Sequence, residues 1–490
     1  MSAELTTLLH DAVRMHQVGD LAHARQAYEA VLRIDPGQPD ALHLLGVLLD
    51  QAGDHAGAID LIGRAIVLAP RQPEMHGNLA TALLAAGRAE EAEAQYRVAI
   101  GIAPRYAEGH YNLANLLRAQ GRAREAVDAF TATLAVQPGH VQARNNLAML
   151  LWEDLDDAAG AERQFRLLLS LAPDWATGHM NFGLFRLGSG MFDEGWREYE
   201  WRWRSEVYNE RDWGLGLPRW TGERMDGGRL LVWGEQGVGD QILYGTMLRD
   251  VGRLIAAPMT VAVDERLVDL FRRSLAPHGI DVVARGARVA ATAQCPFGSL
   301  GRWVRRRSQD FAGQGGYLAA DRQRTSRLRH GYETLAAGRR LVGISWRSVN
   351  RTIGAEKSVP LDALIPLLRT PGILWIDLQY GEHAAELAAL RSAGIAIHAD
   401  PGIDGFRDLD GFAAQVAALD GVVTVSNTSV HVAGALGVPA RLLLAAGRGR
   451  LWYWPGQGEG AMWYDSVHIA RQHQPGDWGS ALAGLGLLSL

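Results

Sequence analysis

Pro36, Pro70, Pro104 and Pro138 stand 34 residues apart, and Pro173 follows after 35. A period of that length confines the chain to a repeat architecture, in which each supersecondary element buries its apolar face only against its neighbours. Other columns keep the step: Gly19, Gly53, Gly87 and Gly121; Ala24, Ala58, Ala92, Ala126 and Ala161; and Tyr28, Ile62, Tyr96, Phe130, Phe165 and Tyr199. The glycine ends a first helix in a tight turn, and the alanine lets a second helix pack closely. The large residue fills the space between them, and the proline breaks the chain before the next repeat. Six repeats span about residues 5–205; the fifth carries one extra residue between Trp152 and Gly160, and the last has no terminal proline.

A 34-residue repeat of this design resembles the tetratricopeptide repeat, an all-α solenoid whose concave surface comes mainly from the first helix of each pair. On those helices Asn78, Asn112, Asn146 and Asn181 form one column, in Asn-Leu-Ala three times and Asn-Phe-Gly once. A primary amide offers donor and acceptor together, so such a ladder can clamp the backbone of an extended peptide without reading its side chains. Alternatively, each asparagine satisfies a neighbouring helix or loop. The column resembles the asparagine ladder of O-linked N-acetylglucosamine transferases.

From Arg229 the period stops. Short apolar runs at Leu230–Trp233, Met259–Val263, Ile280–Val283, Leu341–Trp346, Ile373–Leu378, Gly421–Val425 and Arg441–Ala445 alternate with amphipathic stretches. That alternation predicts parallel sheets with crossover helices, arranged as two doubly wound lobes. A polar stretch from Phe297 to Arg329 separates them, with the Arg305, Arg306 and Arg307 triplet read as solvated surface. Ligands of such lobes bind at the carboxyl ends of the strands.

Three segments there carry candidate chemistry. Glu235, Gln236, Gly237, Gly239 and Asp240 follow the first run, so the backbone can approach a ligand and Asp240 stands at a helix start, although the same pattern serves as a turn with a cap. Ser345, Arg347, Arg351 and Lys357 follow the strand opening the second lobe, where three cations can neutralise a diphosphate. Asn427, Thr428, Ser429 and His431 open a small-residue helix whose free amides suit an anion, with a core role the alternative for His431.

Composition narrows the chemistry. A net charge of -5 gives no concentrated basic face for nucleic acid. The single Cys295 excludes an intrachain disulfide, and the sequence offers neither a signal peptide nor the ~18 uncharged apolar residues of a membrane span, so a cytoplasmic protein is expected. Of 49 basic residues only Lys357 is lysine.

Together these segments resemble the heptosyltransferase-like glycosyltransferases of family 9, in the bacterial subgroup carrying tetratricopeptide repeats. The resemblance also draws on Ser426 to Gly437 and on the tail from Trp463-Tyr464 through Arg471-Gln472 to Trp478. It implies repeats over 1–207, then a GT-B fold with an acceptor-side lobe over 208–335 and a donor lobe over 336–490. It further implies a nucleotide-sugar co-substrate, no metal or resident cofactor, and inversion at the anomeric carbon. Asp240 matches the general base, Lys357 a donor-phosphate contact, and His431 the histidine of an Asp-Thr-Gly-x-x-His motif. Ser426 replaces that motif's acid and Thr428 its glycine. Gln379 is a weaker candidate for the nucleotide's base or ribose. The expected activity is transfer of a hexosyl- or heptosyl-like sugar to a protein hydroxyl, with the repeats recruiting the acceptor protein. A saccharide or lipid-linked acceptor, or a non-catalytic scaffold, are the alternatives.

Overall fold

The computed structural model describes residues 3–208, 210, 213, 216–313, 315–454 and 458–485. Two compact units divide the chain, Met1–Pro173 and Asp174–Leu490.

The first unit is five helix pairs: α1 (Ala3–Gln17) and α2 (Leu21–Ile34), α3 (Pro39–Gln51) and α4 (His55–Leu68), α5 (Pro73–Ala85) and α6 (Ala89–Ile102), α7 (Ala107–Ala119) and α8 (Ala123–Val136), and α9 (Val141–Glu153) and α10 (Ala158–Leu171). Gly19, Gly53, Gly87 and Gly121 adopt φ of 80°, 86°, 79° and 75°, the left-handed turn that their column predicted. In the fifth pair the longer loop puts Asp156 there instead, at φ 52°. The alanine column is wholly buried, as are Tyr28, Ile62, Phe130 and Phe165. A further column went unread in the sequence. His76, His110 and Arg144 donate to the carbonyls of Pro70, Pro104 and Pro138 at 3.1, 3.0 and 2.8 Å, tying each first helix to the proline turn before it.

The second unit begins with the sixth pair, α11 (Ala176–Gly188) and α12 (Phe192–Tyr199), followed by a 3-10 turn over Glu200–Arg204. Its first lobe contains β1 (Leu230–Trp233), α13 (Val238–Gly245), α14 (Leu248–Ile255), β2 (Met259–Val263), α15 (Val268–Leu275), β3 (Ile280–Ala284), β4 (Ala293–Pro296) and α16 (Gly301–Val304). The four strands are parallel in the order β3-β2-β1-β4. After α17 (Arg322–Ala336), the second lobe runs β5 (Arg340–Ser345), α18 (Leu361–Leu368), β6 (Ile373–Asp377), α19 (Ala384–Ser392), β7 (Ile397–His398), α20 (Leu409–Ala417), β8 (Gly421–Val425), α21 (Thr428–Leu436), β9 (Ala440–Leu444), β10 (Gly460–Ala461), β11 (Tyr464–Arg471) and α22 (Trp478–Ala483). Its sheet order is β10-β11-β9-β8-β5-β6-β7, parallel except for β10. Central strands β1, β2 and β8 are buried at every residue, as parallel strands covered on both faces must be. No helix among the described residues is long and apolar enough to cross a membrane.

All seven expected strands are present within a residue or so at their ends, but β4, β7, β10 and β11 were not foreseen. The stretch from Phe297 to Arg329 is less of a separator than its composition suggested, because α16 and the start of α17 lie in it. The arginine triplet also divides. Arg306 and Arg307 are exposed, whereas Arg305 is 1% exposed, pairs with Asp250 at 2.8 Å, and offers its carbonyl to Trp196. A guanidinium can be buried when a carboxylate and backbone acceptors meet it, which composition alone does not reveal.

Candidate active site

In each lobe the strand order reverses beside the first strand, where β1 has β2 on one side and β4 on the other, and β5 has β6 and β8. Crevices open at the carboxyl ends of strands at such points. The loops after β1, β5 and β8 line one cavity of about 550 Å³, together with Met180 and Leu184 of α11.

The loop after β1 is held under strain. Gln236 adopts φ 64°, uncommon for a residue with a side chain. Its backbone N–H donates to Glu210, and its amide nitrogen to the hydroxyls of Tyr199 and Tyr208 at 2.7 and 3.1 Å. Glu235 lies beneath it, fully buried. It accepts from Arg202 at 2.9 and 3.2 Å, from the Tyr208 hydroxyl at 2.5 Å and from Gly298 N at 2.5 Å. Arg202 is equally buried, so neither charge is reachable by substrate. Glu235 braces the loop after β1 and is not on the cavity wall, whereas Gln236, Gly237, Gly239 and Asp240 are.

Asp240 is the third residue of α13, and its carboxylate accepts from Gly237 N at 3.2 Å. Desolvation pushes its pKa up to about 6, against the opposing pull of that N–H and of the Lys357 charge. Lys357, on the loop after β5, is 6% exposed; burial pushes its ammonium down to about 8, with Asp240 resisting. Both line the cavity, yet no ion pair within 4.0 Å joins them. Two titratable groups drawn toward neutrality from opposite sides are a pattern of reactive sites.

The third wall is the start of α21. Asn427 caps it, accepting from Ser429 N at 2.9 Å, while the Thr428 N–H donates to the Tyr380 hydroxyl at 3.3 Å. These amides therefore already have partners. His431 stacks on Trp454 with ring centroids 5.5 Å apart, and its Nδ1 lies 3.2 Å from the Tyr464 hydroxyl. Burial, reinforced by Lys357, pushes its pKa down to about 3, so the imidazole is neutral and serves an anion only as a dipole. Ser426 accepts from Trp454 Nε1 at 2.8 Å.

The remaining expected donor contacts fall elsewhere. Ser345 is buried between Gln379 and Asn427. Gln379 braces the end of β5, accepting from the N–H groups of Trp346 and Arg347, and lines a separate cavity of about 280 Å³ with Asp377 and His383. Arg347 turns to the Glu382 carbonyl at 2.5 Å and to Glu386, and Arg351 is exposed. Neither lines the main cavity, because the carboxylate on α19 is a nearer partner for Arg347. Of the three cations in that segment, Lys357 alone reaches it. Sequence reasoning missed Tyr199, Tyr208, Tyr380, Trp452 and Tyr453 on the walls. Tyr380 directly follows Gln379 at a strand end, which was the available signal.

The four ladder asparagines are all half-buried. Asn78 donates to His43 Nε2 at 2.8 Å, and Asn146 to Asn115 Oδ1 at 2.9 Å, so both reach the preceding first helix. A groove of about 400 Å³ crosses α1, α3 and α5, lined by Leu9, Val13, His43, Leu44 and Met75 with Asp40 and Glu74. Asp40 and Glu74 sit in first helical turns, where carboxylates complement the helix dipole.

Family models described as tetratricopeptide repeat match residues 15–80 and 51–116, and 111–174. The chain is 30% identical over 313 residues to Protein FlbA of Caulobacter vibrioides, covering 60% of this chain and 51% of that protein. It thus spans about half the length of that curated relative. Among solved structures, MamA is similar with 23% identity over 33% of this chain and 93% of its own, at a TM-score of 0.31. YrrB, titled a TPR protein with an unusual peptide-binding site, has 19% identity over 34% and 86%, at 0.29. PilW, titled a widely conserved type IV pilus biogenesis factor, has 19% identity over 41% and 92%, at 0.37. The segment from residue 15 to residue 174 is therefore a run of tetratricopeptide repeats, a module of protein–protein interaction.

Proposed function

We propose that the second unit is a GT-B type glycosyltransferase that moves a sugar from a nucleotide-sugar donor to a hydroxyl of a protein recruited by the repeats. The observation that carries this reading is the facing of Asp240, with its carboxyl raised to about 6, and the buried Lys357 in one cavity at the strand ends of two parallel sheets. In an inverting displacement Asp240 takes the acceptor proton while the sugar–phosphate bond breaks. Lys357 then meets the charge developing on the diphosphate, with the start of α21 supplying dipole. Neutral His431 orients a phosphate oxygen or the sugar by hydrogen bonding.

A second reading, a nucleotide-binding scaffold without turnover, draws on Ser426 in place of the acid and on Arg347 and Arg351 lying off the cavity. Thermal shift across nucleoside diphosphates and their sugars tests binding, and intact-mass analysis of a co-expressed client tests transfer. Stabilisation with added sugar mass on the client supports the transferase; stabilisation without it supports the scaffold. No stabilisation by any nucleotide sinks both.

A further inference from the structure

Met180 and Leu184 lie one turn apart on α11, so they share a face, and both line the cavity that holds Asp240. They sit 35 residues after Asn145 and Met149, the same step that separates Asn146 from Asn181. One of these two inner columns also holds Asn115, the acceptor of the Asn146 amide. Thr81, Asn115 and Asn145 give the three preceding repeats a polar residue in one of these columns, whereas the helix pair that borders the cavity carries two apolar ones. Leu451 and Trp452 add apolar lining to the same cavity, which also holds Lys357, Thr428 and His431. A sugar diphosphate has hydroxyls and charges that an apolar wall leaves unsatisfied, whereas an acceptor's aliphatic side chain loses nothing there and gains burial.

We propose that Met180 and Leu184 select the acceptor, packing against an apolar side chain that flanks the hydroxyl to be glycosylated. This rests on the transferase reading, and the test separates the two. The full chain, Met180→Ala, Leu184→Ala and the double variant are assayed on synthetic threonine peptides flanked by leucine or by aspartate, with the donor that stabilises the chain. The expected result is a KM for the leucine-flanked peptide raised about tenfold in the double variant, while kcat and the donor KM move less than about twofold. Leu184→Met should restore most of the affinity. An active parent chain whose variants leave that KM unchanged, or raise it equally for both peptides, overturns the acceptor wall alone. A parent chain that transfers sugar to neither peptide nor water overturns the transferase reading and the wall with it. If the double variant does not fold, the single variants decide by the same criteria.

Discussion

A methyl group placed on Gly239 would stand 3.1 Å from Cδ2 of His431, so the starts of α13 and α21 approach closely enough that a side chain there requires a shift of a few tenths of an ångström. His431 cannot retreat, being fixed between Trp454 and the Tyr464 hydroxyl. Gly239→Ala is expected to push Asp240 away from Lys357 by a few tenths of an ångström. The expected cost is about 1 kcal/mol of stability and roughly tenfold or more in turnover. Urea unfolding and donor-turnover kinetics check both, and unchanged turnover would separate this contact from the chemistry.

Asp240 should give the acid limb of the pH–rate profile near pH 6, because the base must be ionised. The folded carboxyl binds its proton more tightly than the unfolded one, whose pKa is 3.8. The folded chain therefore holds more protons between 3.8 and about 6, and stability falls as pH rises through that window. Asp240→Asn should melt a few degrees higher than the parent at pH 8 and equally at pH 3, while transfer falls about 10²- to 10⁴-fold. A lower melting point at pH 8 would mean that the carboxylate is stabilised by its surroundings.

Lys357 carries the opposite sign. Its folded pKa of about 8 lies below the unfolded 10.5, so its burial costs stability below pH 8, and that cost is relieved as pH rises through the window. Lys357→Met is expected to stabilise the chain at pH 7 and to weaken donor binding by about tenfold or more. Because the chain has one lysine, reductive methylation with ¹³C gives one side-chain resonance, which should titrate near pH 8 and move when a nucleoside diphosphate is added. A resonance titrating near 10.5 would place the ammonium in water.

The asparagines can be told apart by their partners. Asn146→Ala removes bonds to Asn115 and Asn145 and should cost about 1 kcal/mol in the repeats. Asn112 makes no side-chain hydrogen bond to the described residues, so Asn112→Ala should stay within about 0.5 kcal/mol of the parent. A loss of client binding in Asn112→Ala, measured by calorimetry, then reports the ladder itself; retained binding would leave the asparagines as struts between helices.

Gly183→Ala should be the harshest change in the sixth pair. A Cβ there would come 2.6 Å from Tyr199 N, which is backbone and cannot give way. A loss of about 1–3 kcal/mol is expected by chemical denaturation, although alanine is native at the matching Ala80, Ala114 and Ala148.

The helix pairs were legible because their period is carried by residues with one physical job each: Gly53 turns, Ala58 admits a neighbour, Tyr96 fills. The central strands were legible because β1, β2 and β8 are nearly continuous apolar runs, interrupted only by Thr260 and Thr424. Strand β11 was not, since Tyr-Asp-Ser-Val-His-Ile-Ala-Arg mixes buried and exposed positions without clean alternation. In the candidate site, Asp240, Lys357, Thr428 and His431 could be picked out because each lies on the segment that follows a strand. The internal use of Ser345 and Gln379 could not, because a hydroxyl and an amide at strand ends serve a neighbouring loop as readily as a ligand. Nor could Arg202 be matched to Glu235, a pairing across 33 residues that only the folded chain defines.

That pairing sets where the molecule can be cut. Arg202 enters from the turn after the sixth helix pair and neutralises a carboxylate directly ahead of the strained loop that leads into α13 and Asp240. A fragment starting at residue 208 would bury Glu235 without its counterion and leave Gln236 without Tyr199, so the α/β lobes expressed alone would inherit a hole in their foundation. A fragment starting at Asp174 keeps both. The last repeat is thus structurally part of the α/β unit, written in the language of the solenoid.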